Sequence, residues 1–517
     1  MKKYSFIKNL FVCFSIVVLA SSCSEDTMDK INKNDNNPTN VQAKFLVAEL
    51  EASTAFSVVG GDLSLYAAVY TELETGVHNQ MYYADRRENE PTSTSTYNNT
   101  WENIYTNIQL AKLIISKCSE DGSEPSNIMS LAIAKILLAY NGAVVTDMFG
   151  DVPFSEAGVL DSKGLIVYLQ PKVDKQEDIY KSINANLDEA IILLGQSDAV
   201  ASQVGTADYY YKGDKSMWLK AAYGLKARYE MRLLGKSADK NASLKKVLEY
   251  ADKSFAISSQ ELKFDIYDGV AQNNPLASFS DARAALGSSL SYINKLKERN
   301  DPRLTTMFMN QDAETITDIS KLNPAPNGTG EQSQGKYDIP VVNYSASAPT
   351  ILLSYHEVQF LKAEAYARLG DNTNAETSLK LAIKAGFANL VRSAESTFNT
   401  YGYGSYISFT ESQIDTYYAE NIKALFTANP LKEVVNQKYL AFLGSSGESL
   451  EAYNDYRRFK GLGESNIILS NPLNSTKFPL RFTYGNSDST SNPNIQPLVG
   501  DGTYVYTEPV WWAGGTR

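Results

Sequence analysis

Cysteine and histidine are scarce in this 517-residue chain, and their scarcity excludes several kinds of site. Two of the three cysteines lie within the first 23 residues, so Cys118 is the one thiol in the body of the chain. One thiol cannot build a disulfide framework or a cysteine-based metal site, and we expect Cys118 to be an inert helix residue. His78 and His356 are too few for a histidine-rich metal site or a proton relay. We therefore predict no metal site and no cofactor.

The sequence also lacks the common catalytic motifs. It has no G-x-S-x-G elbow, no H-E-x-x-H and no phosphate-binding P-loop. The absence of motifs does not exclude a catalytic carboxylate pair of the glycosidase kind. The chain has 59 Asp and Glu, and whether two of them form such a pair depends on their separation in space. We predict a protein that is not an enzyme. A net charge of −11 repels phosphate backbones, so we predict no nucleic-acid partner.

The first residues have the pattern of a lipoprotein signal. Within residues 1–22, three lysines precede an apolar run of about 11 residues, which is too short to span a bilayer. The run ends at Leu19–Cys23 (LASSC), which resembles a bacterial lipobox and makes Cys23 the predicted site of lipidation. The alternative is an ordinary secretory signal with an incidental cysteine. The following Ser24–Asp26 resembles the short acidic signal of surface-exposed lipoproteins.

Beyond the signal, the chain is divided into a tether and one large domain. Residues 23–40 are polar, rich in asparagine and interrupted by Pro38, which is typical of a flexible linker. Helical periodicity predicts that residues 41–517 form a single domain that is mainly α. Tyr355–Gly386 has the small, aromatic and glycine positions of a tetratricopeptide unit, with Gly370 at the turn. We therefore predict a tetratricopeptide-like scaffold of paired helices.

Long irregular stretches rich in tyrosine separate the predicted helices. Loops of this length are either functional or disordered, and their aromatic content argues against disorder. The chain has 33 Tyr and only 4 Trp. A tyrosine ring offers a flat face for the C–H groups of a sugar and a hydroxyl for its rim. We expect these loops to face a ligand; they are Gly76–Asn99, Gln196–Lys215, Ile266–Phe279, Asn310–Ala348 and Asn471–Arg517.

One of these stretches, His78–Arg87 (HNQMYYADRR), combines aromatic, amide and guanidinium side chains. We expect one of its adjacent tyrosines to stack on a ligand, while its asparagine and an arginine donate hydrogen bonds. The alternative is that these side chains only pack the loop onto the scaffold. Two further tyrosines on other irregular stretches are weaker candidates. The predicted ligand-binding residues are Asn79, Tyr82, Tyr83, Arg86, Tyr267 and Tyr344.

Four segments of the chain resemble the signatures of one known family. Asp147–Ala157 (DMFGDVPFSEA) resembles an FGDVPYSEA signature, and Gly213–Arg228 begins with a GD-x-x-x-W pattern. Glu451–Arg458 (EAYNDYRR) resembles E-A-W-x-D-x-R-R, with Tyr453 in place of tryptophan. Pro509–Trp512 is a near-terminal P-V-W-W element. In these motifs and their order the chain resembles the SusD/RagB-like family of nutrient-binding outer-membrane lipoproteins.

The resemblance implies a fold, a location and a function. It implies a SusD-like fold and a protein held on the outer membrane by its lipid anchor alone, facing the cell exterior. It also implies a lid on a SusC-like TonB-dependent transporter that captures oligosaccharides. The alternatives are a peptide-binding lid, a tetratricopeptide-type scaffold for other proteins, and a surface hydrolase.

We expect the residues of the four motifs to be structural. Trp218, Trp511 and Trp512 are predicted to lie in the core. We expect Asp147 and Asp151 to mark the end of a helix, because no ladder of further metal-binding residues surrounds them. Trp101 precedes the apolar face of a predicted helix by one turn and is also a predicted core residue. In the stretch that contains Tyr401, Tyr403 and Tyr406, we expect a loop that faces the transporter or the ligand.

Overall fold

The computed structural model describes residues 41–88, 97–161, 164–196, 204–444 and 447–517. The predicted signal peptide, the tether and the lipidation site Cys23 lie outside the described residues. Within the described residues the protein is mainly helical, and its few strands form short antiparallel pairs. The prediction of a mainly α fold is therefore confirmed.

The first half of the described chain is built from helices that pack on their neighbours in the chain. The apolar positions of one helix in this half, Ile104, Ile108 and Ala111, are fully buried on one face, as the periodicity predicts. The helices of this half are α1 (Ala43–Ser53), α2 (Asp62–Tyr70), α3 (Asn79–Asp85), α4 (Asn98–Cys118), α5 (Ile128–Phe149), α6 (Gln176–Leu194), α7 (Lys215–Arg232) and α8 (Lys240–Asp252).

Helix α5 is apolar on all sides, and it is the core of this half. It has a mean hydropathy of 1.8 over 18 residues, and it is the one described helix long and apolar enough to cross a membrane. However, 83% of that window is buried inside the protein, because α1, α4 and α6 cover it. A helix that is hydrophobic all round and covered by protein is a core helix.

The second half contains the predicted tetratricopeptide unit. Helices α11 and α12 of this unit pack along each other, and Ala363, Ala375 and Leu379 between them are fully buried. Gly370 ends the first helix with a φ of 81°, which a side chain would disfavour. The helices of this half are α9 (Pro275–Arg283), α10 (Leu290–Lys297), α11 (Tyr355–Leu369), α12 (Asn372–Tyr401), α13 (Glu411–Tyr417), α14 (Lys423–Ala428), α15 (Pro430–Ala441) and α16 (Ser449–Gly461).

The stretches that we predicted to be irregular contain short elements held by long-range contacts. Three strand pairs connect them: β1 (Glu74–Gly76) with β3 (Leu286–Ser288), β2 (Leu262–Phe264) with β6 (Thr350–Leu353), and β4 (Phe308–Met309) with β5 (Ile339–Pro340). The last stretch contains one- or two-turn helices: α17 (Asn474–Lys477), α18 (Asn486–Ser491), α19 (Gln496–Val499) and α20 (Tyr504–Thr507). These elements were missed because they are too short to show a period.

Three of the four family-like motifs meet in one buried cluster around Asp147, and Arg232 joins them from α7, the helix that begins within the remaining motif. Its carboxylate accepts hydrogen bonds from Trp512 Nε1 at 2.8 Å and from Tyr180 Oη at 2.5 Å, and it pairs with Arg232. Arg457 Nη1 donates to the Asp147 backbone carbonyl at 2.8 Å. The motifs are therefore structural, as predicted, because they join helices α5, α7 and α16 to the end of the chain.

Most of the predicted core residues are buried. Trp218 is fully buried and donates to Asp208 at 2.7 Å, and Trp101 is buried against Phe149. Trp511 differs from the prediction, since it is only partly buried with Lys236 above its ring. Burial raises the pKa of the Cys118 thiol to about 12, so the reactive thiolate does not form near neutral pH.

Candidate ligand-binding surface

The predicted residues Asn79, Tyr82, Tyr83 and Arg86 lie together on and just after α3. The stretch is a short helix and not the irregular loop that we expected. Asn79 and Tyr83 are exposed, and Tyr83 has 40% of its surface open to solvent. The ring of Tyr82 lies 5.7 Å from that of Tyr83 in an edge-to-face arrangement, and the Arg86 guanidinium stands 5.8 Å from the Tyr82 centroid. An amide, two aromatic rings and a cation therefore share one surface.

The inner side of α3 is fastened to distant parts of the chain. Asp85 accepts a hydrogen bond from the Gly328 backbone N–H at 2.6 Å, and Asn471 Nδ2 donates to the Asp85 carbonyl at 2.8 Å. Arg87 Nη2 donates to Asn474 Oδ1 at 3.1 Å. These bonds hold a seven-residue helix that could not persist alone.

The carboxyl of Asp85 is in an unusual state for a hydrogen-bonded anchor. Burial raises its pKa to about 7, although Arg87 and the Gly328 N–H favour the charged form. Arg86, in contrast, lies partly exposed on the outer side of α3 and pairs with Glu88 at 3.2 Å, so the outer surface is polar. The buried carboxyl of Asp85 and the guanidinium of Arg86 thus lie on opposite sides of α3.

The two weaker candidates are placed differently. Tyr267 is only 8% exposed, and its hydroxyl lies 2.8 Å from Thr350 Oγ1. Its ring packs against Phe264 with centroids 5.2 Å apart. We predicted Tyr267 on a ligand-facing loop, but its side chain belongs to the core, where β6 covers it. We therefore leave Tyr267 out of the proposed ligand surface.

Tyr344 forms the base of a second aromatic cluster. It is 9% exposed and stands edge-on to Tyr401 and Tyr403, with centroids 6.0 and 5.4 Å away. The rings of Tyr401 and Tyr403 stack at 5.3 Å with an interplanar angle of 21°, and both are partly exposed. Gly402, at a φ of 71°, turns the chain between them. The exposed part of this cluster is therefore Tyr401 and Tyr403, with Tyr344 supporting them.

Helix α9 connects the two aromatic clusters. The pKa of Tyr401 is raised, first by burial and then by the charge of Asp281 in the last turns of α9. Just after α9, the Ala285 carbonyl accepts a hydrogen bond from the Val77 N–H at 2.9 Å, shortly before α3 begins. Both clusters therefore border the unit formed by α9 and the β1–β3 pair.

The residues that position α3 could not be predicted from the sequence. Asp85, Asn471 and Gly328 are far apart in the sequence, and no local pattern links them. The asparagine at position 79 is a local signal in the sequence. Its φ of 45° is left-handed, a conformation that asparagine tolerates better than most residues. His356, predicted to be a packing residue, is fully buried 2.9 Å from Glu448. Within the described residues, no group of three His, Cys, Asp or Glu could hold a metal ion.

A sequence model of the family described as "SusD-like_2: Starch-binding associating with outer membrane" matches residues 35–485. The chain belongs to the SusD-like family. The resemblance drawn from the four motifs is thereby confirmed. Among curated proteins, this SusD-like protein has no significant match.

Solved structures agree with this assignment. The SusD-like protein is similar to a SusD/RagB family protein from Bacteroides thetaiotaomicron VPI-5482, with 44% identity and a TM-score of 0.87 over 92% of this chain and 100% of that chain. A SusD homologue from Bacteroides fragilis NCTC 9343 is 18% identical, with a TM-score of 0.70 over 92% and 100% of the two chains. A protein described as chitin-binding is 22% identical, with a TM-score of 0.64 over 90% and 99%. The last two show a shared SusD-like fold.

Proposed function

We propose that this protein captures oligosaccharides outside the cell and acts as the lid of a SusC-like TonB-dependent transporter. The observation that carries the proposal is the outer surface of α3, where Tyr82, Tyr83, Asn79 and Arg86 stand together. The starch-binding family to which the chain belongs supports a carbohydrate ligand.

The side chains of α3 suit a sugar in two ways. The exposed ring of Tyr83 offers a face to the apolar C–H side of a pyranose. Asn79 and Arg86 offer donors to its hydroxyls, and the tyrosine hydroxyls can both donate and accept. The helix is fixed from behind, so little conformational entropy is lost on binding.

The proposal assigns binding and not catalysis to the protein. The buried carboxylates Asp147, Glu357 and Glu364 each pair with an arginine, which suits an internal structural role. Cys23 is the proposed lipid anchor, which would hold the domain on the outer membrane near the transporter.

The test is titration calorimetry of the purified lipoprotein in detergent against panels of oligosaccharides and of short peptides. We expect binding to at least one oligosaccharide. Tyr82→Ala with Tyr83→Ala should weaken that binding by about 1–3 kcal/mol, the scale of aromatic stacking on a flat ligand. Tyr168→Ala is the matched control, because Tyr168 is 42% exposed and lies outside the stretches expected to face a ligand.

Three results would contradict parts of the proposal. Binding of peptides alone would assign the ligand to the peptide class. Unchanged affinity in a folded double variant would remove Tyr82 and Tyr83 from the site. Affinity purification of the tagged protein from native outer membranes should recover a TonB-dependent β-barrel receptor, and its absence would argue against the role as a lid.

A further inference from the structure

A pocket opens between α10, α15 and residues 466–470. Its volume is about 550 Å³, which is within the range of small-molecule sites. Its lining includes Lys295 of α10, Lys432 of α15 and Asn466. No residue of α3 lines it, so it is a different place from the surface proposed above.

Lys295 is the unusual group in this pocket. It is only 7% exposed, and its ammonium donates to Ser291 Oγ at 2.8 Å and more weakly to the Ser291 carbonyl at 3.4 Å. The described part of the chain places no carboxylate within ion-pairing distance of it. A buried ammonium without such a partner is costly, and an anion entering the pocket would relieve that cost.

The charges around Lys295 leave it protonated at neutral pH. Burial lowers the pKa of Lys295 to about 8, against the attraction of Glu72 and Glu298, while Arg299 lowers it further. Glu433 on the facing helix α15 is occupied by Arg299, which bonds both of its oxygens at 3.0 and 2.9 Å. The nearby carboxylates are therefore engaged elsewhere or too far away to pair with the lysine.

The remaining lining is positive, polar and in part apolar. Lys432 is exposed at the rim, and the structure shows no ion pair for it within the described ranges. Asn294 and Asn466 offer amides that can bond hydroxyl groups. Leu425 and Ile468 are large apolar side chains exposed to solvent at the pocket. The charged lining residues are Lys295, Arg299 and Lys432 against Glu298 and Glu433, which gives the pocket a net charge of +1 in a protein with a net charge of −11.

We propose that this pocket binds a uronic acid unit, with the sugar carboxylate on Lys295. The amides would bond the hydroxyls, and Leu425 and Ile468 would lie against the C–H groups. The C-terminal carboxylate of a peptide shares the anionic group, but it lacks the hydroxyls that the amides fit. The site does not depend on the α3 surface or on the role of the protein as a lid.

The test is calorimetric titration of the purified lipoprotein with D-galacturonate and digalacturonate at low salt. The neutral counterpart is D-galactose, and the peptide counterpart is triglycine. We expect digalacturonate to bind about tenfold or more tightly than either counterpart, because a charge-assisted hydrogen bond is lost in the first and the hydroxyls in the second. Failure of both uronates to bind, or tighter binding of triglycine, would overturn the proposal.

Two variants locate the site. Lys295→Met keeps an unbranched apolar chain but removes the ammonium, which lies 5.4 Å from the Tyr439 ring centroid, and it should weaken digalacturonate binding by about tenfold or more. Asn429→Asp keeps the cap that its side chain makes to the Lys432 N–H, but it adds a negative charge to the lining. Asn429→Asp should also weaken digalacturonate binding, and it tests the location of the site if Lys295→Met does not fold.

The controls separate this site from the surface on α3. Asn372→Asp adds the same charge to the first turn of α12, and Lys477→Met removes an exposed lysine at the end of α17. Both should leave digalacturonate binding unchanged, and in the variant with Tyr82→Ala and Tyr83→Ala digalacturonate should still bind more tightly than D-galactose. Equal affinities in wild type, Lys295→Met and Asn429→Asp would show that the uronate binds elsewhere and would sink the assignment.

Discussion

Arg458 and Glu364 form a two-pronged ion pair in the core, with Nη1–Oε1 and Nη2–Oε2 distances of 2.7 and 2.8 Å. The pair joins α16, which contains one of the family motifs, to α11 of the tetratricopeptide unit. Asp455 also bonds Arg458, and Arg368 also bonds Glu364. The motif is therefore an internal connection between two parts of the fold that are far apart in the sequence.

Removing one side of this pair should destabilise the protein strongly. Arg458→Met leaves the buried Glu364 short of a partner, and we expect a loss of about 3 kcal/mol or more in the free energy of unfolding. Arg458→Met combined with Glu364→Leu should recover part of that loss, because Asp455 still pairs with Lys438 and Arg368 still pairs with Glu464. Urea unfolding of the wild type, Arg458→Met, Glu364→Leu and the double variant measures both effects. A double variant as unstable as the sum of the singles would contradict this account of the pair.

The sequence was sufficient to predict the scaffold but not the surface. The pairing of α11 with α12 follows from local spacing, since small residues and Gly370 mark the helices and the turn between them. The motifs were found by resemblance, yet their role became clear only from the meeting of Asp147, Arg232 and Trp512 in space. Such contacts depend on chain segments hundreds of residues apart, which periodicity does not detect.

The ligand candidates show the same limit. Tyr82 and Tyr83 are adjacent, so their common surface could be predicted from the sequence. Tyr267 also lies on a tyrosine-rich stretch, but its hydroxyl bonds Thr350 on strand β6 and its side chain is buried in the core. The edge-on contacts of Tyr344 with Tyr401 and Tyr403 join the end of α12 to a distant turn. Burial of an individual tyrosine is thus set by tertiary contacts and not by the composition of its loop.

Glu74 should make the protein less stable as the pH rises. It lies on β1 beside a small apolar cavity of about 40 Å³, and burial raises its pKa from 4.5 to about 8, although Asn343 opposes the shift. The folded protein therefore binds this proton more tightly than the unfolded chain. The stabilisation is complete below pH 4.5 and is lost as the pH rises to about 8, with a slope of about 1.4 kcal/mol per pH unit.

The variant Glu74→Gln tests this contribution, because the amide has the shape of the protonated acid but does not titrate. We expect the stability of the wild type relative to the variant to decline between pH 5 and about 8. Asp85 shifts in the same direction but is present in both proteins, so it cancels in the comparison. Thermal unfolding across this range measures the difference. Parallel curves for the two proteins would show that Glu74 titrates normally.

Lipidation at Cys23 should determine where the protein is found. Cells grown with radiolabelled palmitate should incorporate label into the wild type but not into Cys23→Ser, because no other thiol follows a lipobox. The variant should also leave the outer-membrane fraction. Cys118→Ala is the control, and it should keep the label since this thiol is buried in α4. Label retained by Cys23→Ser would place the anchor elsewhere.

The cluster of Tyr401 and Tyr403 should matter for long ligands more than for short ones. It borders the same α9 and β1–β3 unit as the surface on α3, so an extended glycan held at Tyr83 has a second aromatic platform along that unit. We expect Tyr401→Ala with Tyr403→Ala to weaken binding of a heptasaccharide by about 1–3 kcal/mol, the scale of aromatic stacking.

A trisaccharide of the same glycan should bind the variant as it binds the wild type, because it occupies the α3 surface alone. Calorimetry with both lengths gives the comparison, and Tyr168→Ala controls for loss of an exposed ring on a different stretch. Equal losses for the two lengths would instead place the short ligand on this cluster.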